Sequence, residues 1–167
     1  MDNVLAIVAL TSTGGLVAAM WIRKILLRRR AFREFAAARG FEFVGTIPSD
    51  GRTPYKRIQR VAQAVLLTNL VQGQWNGVPI SVFDMPWFRR GSKLTTVLVV
   101  VEDTLRRGPL AEGVLAARPD TLIDMDLDIL IVTPRRLLDA PELPEWLTFA
   151  TTLAKAMERD FKESLVT

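Results

Sequence analysis

Apolar and polar positions follow three different rhythms along this chain. The first stretch has no polar phase at all: Val4 to Ile22 (VLAIVALTSTGGLVAAMWI) is free of charge. About 19 such residues form a helix roughly 28 Å long, close to the hydrocarbon thickness of a bilayer. From Arg23 to Arg39 the rhythm becomes helical, with Ile25, Phe32, Phe35 and Ala36 on one stripe and Gly40 at a fitting helix end. This piece either stands alone or prolongs the first helix. Phe41 to Val44 then alternates as a short strand, Pro48 to Pro54 breaks the chain, and Tyr55 to Ala64 suits a short helix.

In the centre the period falls to two. Leu66 to Trp75 and Val78 to Phe83 read as strands joined by Asn76-Gly77, the strongest short hairpin signal there is. Pro79 places the start of the return strand at an edge or a bulge. Asp84 to Ser92 reads as a loop, with Asp84 as a turn-forming carboxylate, and Leu94 to Glu102 as a buried strand. Leu110 to Ala117 is apolar in a Gly- and Pro-broken stretch and fits helix or strand. Leu122 to Thr133 reads as one further strand. Glu142 to Lys162 closes the chain as an amphipathic helix whose inward positions are Leu143, Trp146, Leu147, Ala150, Leu153, Ala154, Met157 and Phe161. The expected class is α+β: a transmembrane helix, then a small antiparallel sheet with helices packed on one side. The expected divisions are residues 1–22 as anchor, 23–40 as basic juxtamembrane helix and 41–167 as the folded domain.

Charge gives the first helix an orientation. Arg23, Lys24, Arg28, Arg29, Arg30 and Arg33 follow the apolar run, and no base precedes it. Positive segments stay on the cytoplasmic side, so the expected topology is a nearly absent outer tail and a cytoplasmic domain at a bacterial inner membrane. A cleaved signal peptide would carry its bases before the apolar run instead. A buried soluble helix is the other alternative, since Thr11 to Thr13 and two glycines dilute the apolar character. Residues 1–60 hold eleven Lys/Arg against four Asp/Glu, and residues 61–167 eleven against fourteen. The excess is therefore a collar suited to anionic lipid headgroups rather than a basic face for nucleic acid. The chain has neither His nor Cys, which removes His- and Cys-based catalysis, disulfides and the commonest zinc and haem ligands. No phosphate-binding, dinucleotide-binding or nucleophile-elbow motif is present, and no cofactor is expected.

Three further groups invite a role. Thr11, Gly15 and Ala19 recur every four residues, with Gly14 and Ala18 alongside, and small residues on one face let another membrane helix approach closely. Trp87, Phe88, Arg89 and Arg90 combine aromatic and guanidinium groups in a hairpin loop, a good partner or headgroup contact if exposed. Asp120, Asp124, Asp126 and Asp128 could offer oxygens to a divalent metal. The same spacing on a strand merely gives one solvated face, and we expect no metal there.

The run Asn69-Leu70-Val71-Gln72-Gly73, the hairpin from Asn76 to Asp84 and the strand Thr95 to Val101 together resemble a group of uncharacterised bacterial membrane-anchored proteins. Phe35, Ala38 and Gly40 stand where that group has its "F..A...G" opening, and Pro141-Glu142 stands before the last helix as its Pro-Glu does. Met85 departs from the aromatic usual after the Asp, and residues 103–127 are shorter. The resemblance implies architecture and anchoring, with no activity attached. The expected function is a non-catalytic, single-pass accessory subunit of an inner-membrane complex, of respiratory or photosynthetic type, with integral membrane subunits as partners. The alternative is a free-standing anchored module that binds a peptide, lipid or envelope partner.

Overall fold

The computed structural model describes residues 2–48, 66–87, 93–101, 104–126 and 128–166, with backbone alone for 2–16, 86–87, 93–95 and 126. The first helix, α1 (Asp2–Arg39), is a single element of 38 residues, so the apolar run and the basic segment are one rod about 57 Å long. It is followed by β1 (Glu42–Pro48), β2 (Leu66–Trp75), β3 (Val78–Trp87), β4 (Lys93–Val101), α2 (Pro109–Ala116), β5 (Thr121–Asp126), β6 (Ile129–Pro134), a 3-10 turn over Ala140–Glu142 and α3 (Leu143–Ser164). The six strands form one antiparallel sheet in the order β1-β2-β3-β4-β6-β5. The class is α+β. The short helix expected over Tyr55–Ala64 lies outside the described residues.

The Asn76-Gly77 turn has both φ angles positive, +53° and +79°, as a two-residue turn matched to strand twist requires. The Lys155 ammonium, from α3, donates to the Asn76 carbonyl at 2.8 Å. Pro79 follows in β3, an interior strand rather than an edge. Its missing N–H costs little, because the ladder to β4 begins one residue later, at Ile80 opposite Val100. Gly73 is needed for close approach: a Cβ there would stand 2.4 Å from the Phe41 ring.

Alternation sorts the strands into two buried faces. Val71, Val78, Ile80, Val82, Leu98, Val100, Leu130 and Val132 meet Phe32 and Ala36 of α1 and the inner stripe of α3. Leu67, Leu70, Phe83, Met85, Val97, Val99, Ile129 and Ile131 form a second cluster on the opposite face, also excluded from solvent. This explains the unbroken apolar run Val97 to Val101: a strand buried on both faces has no polar phase. Each large side chain so buried contributes about 1.5–3 kcal/mol.

Two expectations change and one open reading is settled. The run Leu122–Thr133 is a hairpin, not one strand: Asp126 pairs with Ile129, so the chain reverses between them. Its Asp residues keep a period of two straight through the turn, which hides the reversal. Asp84 belongs to the middle of a longer β3, opposite Thr96, rather than to a turn. Leu110–Ala117 resolves as helix α2, because the buried Asp160 carboxylate accepts the Leu110 and Ala111 amides at 3.2 and 2.9 Å and so caps its first turn. Within residues 23–40, Phe32 and Ala36 are buried in the core.

Gly77→Val should destabilise the folded protein by roughly 1–3 kcal/mol, since a β-branched residue tolerates positive φ badly. Thermal unfolding followed by circular dichroism checks this, and an unaltered midpoint would rule out the strained turn.

Candidate functional site

Two features set this molecule apart from an ordinary α+β domain: the exposed first half of α1, and the way its second half is fastened to the sheet. Between Val17 and Leu27 the apolar side chains are turned outward. Val17, Met20, Trp21, Ile22, Leu26 and Leu27 are each more than half exposed, and Ile25 is 40% exposed. At 100° per residue these positions surround the axis, so they form a sleeve and not a one-sided stripe. Among the described residues no helix is long and apolar enough to cross a membrane. In α1 the described side chains begin at Val17, so most of the charge-free run Val4–Ile22 is present there as backbone.

The fastening is ionic. On α1, Arg28 stands in phase with Phe32, Phe35 and Ala36, the stripe that faces the sheet. On β3, Asp84 stands in phase with Val78, Ile80 and Val82, on the same face. The two meet side by side: Arg28 Nε donates to Asp84 Oδ2 at 2.7 Å and Nη2 donates to Oδ1 at 2.8 Å. The carboxylate is 1% exposed and the guanidinium side chain 12%. Arg28 also lies over the Phe32 ring, 4.8 Å from its centroid.

Neighbouring strands complete the shell. Between the pairs Thr68–Asp84 and Val71–Val82, β2 carries two residues where β3 carries one. The extra residue makes a bulge, with Asn69 at φ +54°. That bulge lets the Asn69 amide donate to Asp84 Oδ2 at 2.8 Å. From β4, the Thr96 hydroxyl donates to Oδ1 at 3.0 Å. The same hydroxyl oxygen accepts from Arg28 Nη2 at 3.2 Å and from the Leu138 amide at 3.0 Å. Asp84 thus accepts four hydrogen bonds from three other elements, which is what a buried carboxylate needs to remain charged at tolerable cost.

The loop that brings Leu138 has its own lock. Glu142 accepts from both terminal nitrogens of Arg136 and, at 2.8 Å, from the Asp139 amide. These bonds, the Arg136 guanidinium foremost, hold the Glu142 carboxyl down at about 2. Asp139 in turn stands 3.7 Å from Arg28.

The expected basic collar is therefore divided. Arg28 is no lipid-facing base; its side chain is committed to Asp84. Arg23, Lys24, Arg29, Arg30 and Arg33 are exposed, with Arg30 paired to Glu34 at 2.7 Å and Arg33 lying 5.3 Å from the Phe43 ring centre. Ala18 and Ala19 are exposed on α1, while Thr11, Gly14 and Gly15 are placed by backbone alone. Trp87 ends β3, and Phe88, Arg89 and Arg90 lie outside the described residues. Of the acidic run, Asp124 and Asp126 belong to β5 but Asp128 to the turn, so the four carboxylates do not share one strand face. Among the described residues no group of three acidic side chains is placed to hold a metal. The Arg28–Asp84 pair was missed by local reading, although the phase of each residue on its own element pointed inward. Comparison of the chain with protein families, curated proteins and solved structures finds no match.

Arg28→Met should cost about 3–5 kcal/mol in chemical denaturation, because it strands a buried carboxylate. Adding Asp84→Asn should recover part of that loss, since a neutral amide needs no counter-charge; equal losses in the single and double variants would exclude a charge pair. Glu142, whose carboxyl is depressed from 4.5 to about 2 on folding, stabilises the protein fully above about pH 4.5. That contribution fades as pH falls toward 2, and Glu142→Gln should flatten the stability curve in this window alone.

Proposed function

We propose that this chain is a non-catalytic, single-pass accessory subunit of a bacterial inner-membrane assembly. In this reading Val4–Ile22 spans the bilayer with its N-terminus outside, and the α+β domain lies on the cytoplasmic side. The observation that carries it is the apolar sleeve on α1. An apolar surface running all round a helix suits a nonpolar solvent, whereas a helix docked on a soluble core buries one stripe only. The exposed bases that follow the sleeve fit the inner leaflet.

A structural rather than chemical role draws on two further points. The sequence offers no His or Cys, and the buried cluster around Asp84 spends its carboxylate's bonding capacity on fastening α1 to the sheet. A carboxylate with four donors already in place has no spare lone pair for a substrate proton. Partner helices are supported by Thr11, Gly15 and Ala19, spaced one turn apart, with Gly14 and Ala18 beside them. The resemblance to uncharacterised membrane-anchored proteins belongs to the same proposal and adds no activity.

Affinity purification of the tagged chain from mild detergent tests it. The expected result is a defined larger complex, lost for Gly15→Leu, which crowds the small-residue face while leaving the helix at least as apolar. Leu16→Ala, about 100° around the helix, should keep the complex. A chain that purifies alone would instead favour the free-standing anchored module.

A further inference from the structure

The docked part of α1 begins abruptly. Phe32 is 0% exposed and the Arg28 side chain 12%, yet Leu27 and Leu26, just before it, are 55% and 59% exposed. Phase accounts for the contrast. Leu27 and Leu26 stand roughly 100° and 160° round the axis from Arg28, turned away from the sheet.

Two uncompensated bases stand between these leucines and the rest of the sleeve. Arg28 is held by Asp84, Arg30 by Glu34, and Arg33 lies against the Phe43 ring. Arg23 and Lys24 form no ion pair among the described residues, and residues 3–33 contain no Asp or Glu. Along the axis the order is apolar residues 17–22, the two bases, then apolar residues 25–27. Side chains on a helix lean toward its N-terminus, so Leu26 and Leu27 cover the turn that carries Ile22 and Arg23. Apolar reach and positive charge therefore fall at one level. That combination suits the boundary between acyl chains and phosphates, where leucine meets hydrocarbon and a long basic side chain extends to the phosphate.

We propose that residues 23–27 form a lipid-binding turn: Leu26 and Leu27 enter the acyl side of the inner-leaflet headgroup layer, while Arg23 and Lys24 bind phospholipid phosphates. This deepens the anchored reading and rests on it. The apolar boundary then lies at Leu27, about 7.5 Å further along the helix than Ile22. Arg28 is the next residue, so no spacer separates the leaflet from the Arg28–Asp84 pair. The folded domain is seated directly against the headgroups.

The absence of Cys makes single labels unambiguous. The full chain, in nanodiscs of phosphatidylcholine and phosphatidylglycerol, carries one nitroxide at Val17→Cys, Ile22→Cys, Leu26→Cys, Leu27→Cys or Ala37→Cys. Ala37 is an exposed position about three turns beyond Leu26 on the same face of α1. Collision with oxygen should outweigh collision with a water-soluble nickel chelate at 17, 22, 26 and 27, and the reverse should hold at 37. The changeover should thus fall about 7.5 Å or more beyond Ile22. Arg23→Glu with Lys24→Glu, which repels phosphate, should move it back toward Ile22; an unmoved changeover overturns the phosphate contact. A changeover between 22 and 26, with 17 still oxygen-rich, overturns the lipid-binding turn and leaves the anchor standing. Labels at 26 and 27 shielded from both reagents mean that a second copy of the chain covers the leucines, which also overturns it. A Val17 label open to nickel overturns anchor and turn together.

Discussion

A single carboxylate inside an apolar layer sets the terms for the rest of this structure. Asp84 sits two residues along β3 from Val82, which lies opposite Leu98, on the helix-facing side of the sheet, where an unpaired charge would be far too costly to keep. It is tolerable only because Arg28 supplies the opposite charge in fork geometry and Asn69 and Thr96 supply the remaining donors. Satisfying Asp84 accounts for several local oddities at once. The β2 bulge exists where Asn69 must reach across, and the loop before α3 is drawn in as the Leu138 amide binds Thr96. Such a pair adds little net stability compared with apolar residues of equal volume. What it gives is register: apolar stripes can slide by a turn, but a bidentate guanidinium cannot.

How much of this could be read in the sequence depended on how local each signal was. The Asn76-Gly77 hairpin, the strands beside it, the end of α1 before Gly40 and the stripe of α3 are all written within a few consecutive residues. α3 departs from the expected stripe in that Phe149, Thr151 and Ala156 are buried too, and at its end, where Asp160 is buried as the cap of α2 and Phe161 is half-buried. Where the signal was non-local, reading failed. Arg28 looked like one of six similar bases, and nothing within its own turn says which base faces inward. The information was in phase: Arg28 falls midway along the Ile25–Phe32 stripe, and Asp84 falls on the inward beat of Val78, Ile80 and Val82. Two opposite charges, each on the apolar side of its element, are a joint signal that neither segment carries alone. The β5–β6 turn was lost for the opposite reason, since a regular alternation of Asp and apolar residues persisted through a reversal of direction.

The two halves of α1 show how one element answers two solvents. From Arg28 onward it has a conventional inward stripe, and most of its outward residues are charged. Between Val17 and Leu27 the stripe disappears, and apolar side chains face outward all round the axis. Arg23 and Lys24 interrupt the sleeve, which resumes with Ile25, Leu26 and Leu27 before the docked segment begins. The transition occupies little more than one turn, and the backbone passes through it without a break.

Continuity of that backbone makes α1 a lever with a fixed fulcrum. The gripped section, from Arg28 to Ala36, is about 12 Å long, whereas the part of the helix from Asp2 to Arg28 measures about 39 Å. A tilt of only 10° about the grip moves the tip of the arm by roughly 7 Å, more than the spacing of adjacent turns. Read the other way, a displacement of several ångströms at the far tip reaches the sheet as a change of under an ångström per turn. The fold is thus geared to average out motion at the tip, and any large turning force on the arm is borne at Arg28 and Asp84.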